Sequence, residues 1–267
     1  MKKTFKIWSA LILFLFLFPV IIQFLPDNEL SSSTKLMKEP AMIVYASNII
    51  ETEEPKAEAT GKKALLYFTH NHEAYKPVTK EKNGKVAVSH QSENIVRFGE
   101  KLKSQLDFNG IQTDILPIDN MAELNKKGMR YAQSYGSIRP HVKKRLEEAD
   151  YDLIIDLHRD SIGADLTTAV HNGEKYAKVA FVVGLDHPKS AENKLKAQRL
   201  TEEMEKLVPG ITRGLILKSG DRVDGKYNQD LDPSIILIEL GGSGNSEEQL
   251  NRTIAVIGKA ASSILSE

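Results

Sequence analysis

The sequence predicts an α/β fold: a mainly parallel sheet with helices on both faces, plus one N-terminal transmembrane helix. Short apolar runs of strand length recur at residues 64–68, 152–157, 177–183 and 234–240. Between them lie segments of helical length and apolar spacing, and this alternation implies a parallel sheet covered on both sides. Residues 7–25 are apolar except for Ser9, Pro19 and Gln23.

At about 1.5 Å of rise per residue, residues 7–25 can cross a hydrocarbon core of roughly 30 Å. Lys2, Lys3 and Lys6 precede them, which leaves the amino terminus in the cytoplasm and sends the remainder outside. A cleaved signal peptide needs a shorter apolar core and a small-x-small site, and Gln23-Phe24-Leu25-Pro26-Asp27 is a poor one. Residues 1–26 therefore read as an uncleaved anchor. Residues 27–61 read as an extracytoplasmic linker, with Ser31-Ser32-Ser33-Thr34 and an acidic run at 51–58; their periodicity is weak outside 41–46. The catalytic domain is assigned to residues 62–267, which is length enough for one core.

Within that domain the strand at 64–68 leads into a polar loop holding residues 80–83. A helix is expected over 92–106, with Ile95, Phe98, Leu102 and Leu106 on one face, Ser92 as N-cap and Asn109-Gly110 at its end. Residues 113–116 read as a short strand stopped by Pro117, and a second helix closes over 141–149. The strand at 152–157 carries His158 at its end. A further apolar run at 177–183 precedes a helix over 190–208, stopped by Pro209-Gly210. A strand at 214–217 follows, and the last strand, 234–240, delivers Glu239. Ser246-Glu247-Glu248-Gln249 is a capping box opening a helix with Leu250, Ile254, Ile257 and Ile264 inward.

The 36 basic and 36 acidic residues balance to zero net charge, which argues against a nucleic-acid partner. There is no cysteine, so a thiol nucleophile, a disulfide framework and a Cys-based zinc site are excluded. Any metal must be held by His and carboxylate. No G-x-S-x-G elbow and no Walker loop is present.

In parallel α/β sheets, ligands bind outside the carboxyl ends of the strands. The first strand runs into His70, His72 and Glu73. His70 and Glu73 form an H-x-x-E pair, whose spacing can put imidazole and carboxylate on one cation. The same spacing recurs at His90/Glu93 and His171/Glu174, so it competes with the plain reading of a hydrogen-bonded histidine at a strand end. His158 sits in Asp156-Leu157-His158-Arg159-Asp160-Ser161. Asp156 or Asp160 could accept its second ring N–H, as ligating histidines require; a surface charge cluster is the alternative. Glu239 follows four apolar residues, where an unpaired carboxylate is costly to bury. Burial should raise its pKa toward neutrality and suit it to general-base work, unless it is simply ion-paired. Gly241-Gly242 implies a tight turn or close backbone approach. Tyr227-Asn228-Gln229-Asp230 is a polar island, either an ordinary turn or a cleft wall.

Four motifs occur in order: Thr69-His70-Asn71-His72-Glu73-Ala74-Tyr75, Asp156-Leu157-His158-Arg159-Asp160, Tyr227-Asn228-Gln229-Asp230-Leu231, and Glu239-Leu240-Gly241-Gly242 with Asn245 and Glu247-Glu248. Together they resemble the stage II sporulation protein P family of endospore-forming bacteria, over the whole domain. The resemblance implies a phosphorylase/hydrolase-like fold, as in zinc amidases and carboxypeptidases. It also implies a zinc-dependent N-acetylmuramoyl-L-alanine amidase, with endopeptidase activity on cross-links also credited to the family. Members remodel septal peptidoglycan during engulfment with stage II sporulation proteins D and M. By position, His70, Glu73 and His158 would be the Zn2+ ligands and Glu239 the catalytic carboxylate. More distant amidases draw the third ligand from the start of the first helix, where this chain has Glu93, so both glutamates stay open. Arg159 would steady an oxyanion or a substrate carboxylate, or serve structurally. The expected location is the cell membrane, single-pass, with the catalytic domain outside. The alternatives are a membrane-anchored wall-binding scaffold with a degenerate amidase fold, and a zinc carboxypeptidase on stem peptides.

Overall fold

The computed structural model describes residues 61–266. The anchor expected at 1–26 and the linker at 27–61, all but its last residue, lie outside the described residues. Among the described residues no helix is long and apolar enough to cross a membrane. The strands are β1 (Lys63–Tyr67), β2 (Gln112–Ile115), β3 (Leu153–Asp160), β4 (Thr168–His171), β5 (Glu174–Ala177), β6 (Val179–Gly184), β7 (Thr212–Lys218) and β8 (Ile235–Gly242). The helices are α1 (Lys76–Asn83), α2 (Ile95–Phe108), α3 (Asn120–Lys126), α4 (Ser134–Glu148), α5 (Ser190–Leu207) and α6 (Glu247–Ser266).

The main sheet has the order β2-β1-β3-β8-β6-β7. β2, β1, β3 and β8 run parallel. β6 meets β8 antiparallel and takes β7 with it in parallel. The sheet is thus mainly parallel with one reversed seam, and β6 and β7 end at the edge opposite the other four. β4 and β5 form a separate antiparallel hairpin.

Successive strand residues alternate between faces. Leu66, Ile155, Phe181 and Ile238 enter one core with Leu102 of α2, Leu200 of α5 and Ile257 of α6. Leu65, Ile154 and Ile235 face the other way, against Ile138 and Val142 of α4. Helices cover both faces, as the sequence predicts.

Three local expectations change. The polar stretch around residues 80–83 is helix α1, with Pro77 in its first turn and Gly84 ending it in the left-handed conformation (φ 71°); burial of Val78 and Thr79 anchors an otherwise polar helix. Helix α2 begins at Ile95, not residue 92, because His90 Nδ1 accepts the N–H groups of Ser92 and Glu93 and holds them in a turn. Asn94 is the cap, its Oδ1 accepting from Val96 N at 3.0 Å. Finally, β3 and β8 run past the residues they deliver, so His158 and Glu239 lie inside strands rather than at their tips. The capping box of α6 forms as expected, Ser246 N donating to Gln249 Oε1 at 3.1 Å.

Candidate active site

β1 ends in a tight turn in which Glu73 N donates to His70 O at 3.0 Å, so the two H-x-x-E side chains leave one loop together. The loop is tied down from two sides. Thr69 donates its N–H (3.0 Å) and its hydroxyl (2.7 Å) to the buried carboxylate of Asp156 on β3. Asn120, fully buried, donates to Thr69 O at 2.9 Å and Ser134 O at 3.0 Å.

On the neighbouring strands, His158 and Glu239 are direct register partners across the β3–β8 pair. They therefore project side by side from the same face. Glu73 reaches this pair from β1: its Oε2 accepts Arg159 N–H at 2.7 Å and lies 3.9 Å from His158 Nδ1. The other ring nitrogen of His158 is 3.0 Å from Asp156 Oδ1, off the line of a hydrogen bond. The His70 and His158 ring centroids are 5.2 Å apart and nearly perpendicular. After Gly241 (φ 63°), a Cβ on Gly242 would meet Ile162 O at 2.4 Å, so the double glycine answers both a turn and a close approach.

Burial and mutual charge set the electrostatics. Desolvation, with help from the positive charge of His158, pushes His70 down to about 3. Burial works against a charged His158 too, but the carboxylates of Asp156, Glu73 and Glu239 outweigh it and hold the ring up at about 9. Burial raises the carboxyl of Glu73. It raises Glu239 to about 7, against the opposing pull of His158 and with the repulsion of Glu73 and Asp160. Glu239 Oε2 is buried without a hydrogen-bond partner. That is the neutral-range carboxylate the sequence predicts.

Of the three H-x-x-E pairs, one faces His158. Glu93 is ion-paired to Arg97, and Glu174 on the hairpin to Arg252. His72 turns away to Asp119, with Nε2 and Oδ2 3.1 Å apart. The Arg159 guanidinium donates to Val88 O and Asp160 O, a structural engagement.

The donor set of His70, Glu73 and His158 fits a zinc ion: two imidazoles and a carboxylate, with His70 Nδ1 buried and unpartnered. Among the described residues no three His, Asp or Glu groups are drawn together closely enough to share an ion as oriented. Tyr131 stacks on the His70 ring at 4.2 Å, and His158 Nε2 lies beside Asp156.

Tyr131, Tyr135 and Asn120 belong to this site without having been singled out from sequence. The signal was the pair of tyrosines four residues apart in a polar stretch. Tyr135 stands edge-on to His70 at 5.6 Å, and its ring lies 18° from parallel to His158. Beside His70 opens a cavity of ≈ 390 Å³ walled by Tyr131, Tyr135 and Tyr227 and by residues 221–224. A larger one of ≈ 640 Å³, bordered by Phe68, Asn71, Asn94 and Arg97, touches none of the four candidate residues. Lining chemistry, not size, marks the site.

The fold and site define an α/β protein with a buried His–carboxylate centre at the carboxyl ends of parallel strands. The sequence profile of the stage II sporulation protein P family matches residues 26–262, and the chain belongs to that family. It is 37% identical over 218 residues to stage II sporulation protein P of Bacillus subtilis (strain 168), covering 80% of this chain and 53% of that protein. The chain thus spans about half the length of that relative. Among solved structures it is similar to the CwlD amidase from Clostridioides difficile in complex with the GerS lipoprotein (TM-score 0.49, 16% identity, 77% of this chain and 98% of that one). It is also similar to a metallo-carboxypeptidase from Burkholderia cenocepacia (TM-score 0.41, 12% identity, 78% and 57% covered).

Proposed function

We propose that the chain is a zinc-dependent peptidoglycan hydrolase that cleaves the amide between N-acetylmuramic acid and L-alanine during sporulation. The observation that carries this reading is that loop 70–73, His158 and Glu239, a carboxylate of near-neutral pKa, are carried by the adjacent strands β1, β3 and β8, toward their carboxyl ends. Family membership supports it. His70, Glu73 and His158 would hold the metal, which when bound supplies a Lewis acid and lowers the pKa of water. Glu239 takes a proton from the attacking water on Oε2 and returns it to the leaving amine. Asp156 places its negative charge beside His158 Nε2 and, through Thr69, holds the loop that carries His70 and Glu73. Arg159 N–H fixes the Glu73 carboxylate.

The reading includes a cytoplasmic N-terminus, a single-pass anchor at 1–26 and a catalytic domain outside the membrane. Stage II sporulation proteins D and M are its partners in this proposal.

The test is digestion of purified peptidoglycan by the purified chain, before and after chelation and with Glu239→Gln. Free lactyl-muramic ends should appear, vanish on chelation and return with zinc, and fall by at least about 100-fold in the variant. Release of single amino acids instead would mark a carboxypeptidase. Intact activity after full chelation would remove zinc from the mechanism.

A further inference from the structure

The cavity beside His70 has walls that the hydrolytic mechanism does not use. Tyr131 rests one face on His70 (interplanar angle 10°) yet is 56% exposed. Tyr135 and Tyr227 meet edge to face at 5.1 Å. Tyr227 and Asn228 both hold positive φ, 53° and 56°, a costly backbone for residues other than glycine. On the rim, the side chains of Asp221 and Arg222 are exposed and make no hydrogen bond or ion pair with any described residue. Asp224 is partly engaged, capping the N–H groups of Lys226 and Tyr227.

An exposed ring face beside free carboxylate and guanidinium groups is the chemistry that recognises a sugar. The C–H face of a pyranose packs on an aromatic ring, while its hydroxyl groups donate to carboxylates and its acetamido oxygen accepts from a guanidinium. Charge separates the two halves of the substrate. The cavity rim carries two carboxylates (Asp221, Asp224) against one guanidinium (Arg222), a net charge of −1. That lining favours an uncharged N-acetylhexosamine ring over a stem peptide bearing free carboxylates. Its ≈ 390 Å³ lies within the range of small-ligand sites, about 300–1,000 Å³.

We propose that this cavity is the glycan subsite, with Tyr131 as the stacking platform and Asp221 and Arg222 as the polar rim that fixes the ring. The assignment rests on the amidase reading and decides which side of the cut amide each half of the substrate occupies.

Two substrates test it: a muramoyl-peptide, and a lactoyl-peptide with the same stem and no sugar ring. The zinc-loaded chain should prefer the first in kcat/KM by at least about tenfold. Tyr131→Ala and Arg222→Ala should each shrink that ratio toward one, and Tyr131→Trp should keep it. Tyr131 also packs on His70, so both rates of its Ala variant fall and the ratio is what is read. Arg222→Ala, which removes an exposed rim side chain and no ring stacked on His70, provides the second reading. A direct arm measures binding of N-acetylglucosamine oligomers to the metal-free chain by ligand-observed NMR, with binding weakened in Arg222→Ala. An unchanged ratio in both Ala variants, or no sugar binding, overturns the subsite. If wild type cleaves neither substrate, the amidase reading fails, and the NMR arm still decides the subsite by itself.

Discussion

Glu239 shows how position alone prepares a side chain for chemistry. Its register partner is His158, its backbone neighbours are apolar, and Oε2 has no partner. The carboxyl sits at about 7 in the folded chain against an ordinary 4.5. Below pH 4.5 folded and unfolded states both carry the proton. Between 4.5 and 7 the folded state keeps it while the unfolded state has lost it, so stability falls as pH rises, then levels above 7. Glu239→Gln removes that loss. In the metal-free protein its thermal midpoint should match wild type near pH 4.5 and exceed it at pH 8, by the equivalent of roughly 1–3 kcal/mol. A gap of equal size at both pH values would mean that Glu239 ionises freely in the fold. Glu239 itself was legible in the sequence because four apolar residues precede it. Tyr131 was not, since its place over His70 depends on the turn before α4, to which no periodicity points.

Among the elements, the start of α3 is the clamp of the site. Asp119 caps that helix, accepting from Ala122 N at 2.9 Å, and also receives Asn71 Nδ2 at 2.7 Å. Asn120 bridges the loop after β1 to the start of α4. Asn120→Ala leaves the carbonyls of Thr69 and Ser134 buried without that donor, at about 1–3 kcal/mol for each such group. The expected result is a lowered midpoint of thermal unfolding and weaker zinc binding by titration, with the fold retained by circular dichroism. If zinc affinity is untouched while stability drops, the clamp supports the core and not the loop. Element by element, the sequence was readable where burial was continuous: β1, β3, β6 and β8 are runs that only a two-sided core explains. α1 escaped because just Val78 and Thr79 are buried in it. The β4–β5 hairpin escaped because its strands are four residues each and half exposed, and its turn relies on positive φ at Asn172 and Gly173. The reversal at β6 was invisible too, since strand direction follows from how the chain returns after that hairpin.

At the scale of the whole molecule, the candidate ligands come from loop 70–73, residue 158 and, beside them, residue 239, and only the sheet order β1-β3-β8 unites them. A metal held there ties together distant parts of the chain and has no comparable site in the unfolded state. Binding to the native state alone stabilises it by RT ln(1 + [L]/Kd), about 4 kcal/mol at a thousandfold excess of free metal over Kd. Zinc should therefore bind at one ion per chain, and the thermal midpoint should climb with the logarithm of free zinc. His70→Ala and His158→Ala should abolish the climb. His90→Ala and His171→Ala, in the two other H-x-x-E copies, should keep it even where they lower the starting midpoint, because Glu93 and Glu174 are engaged by Arg97 and Arg252. Thermal scans in chelator and in buffered zinc measure the shift for each variant. A shift that survives His158→Ala, or that His90→Ala removes, would assign the metal to another part of the chain. Strand order would then be arranging an acid–base pair and not a metal centre.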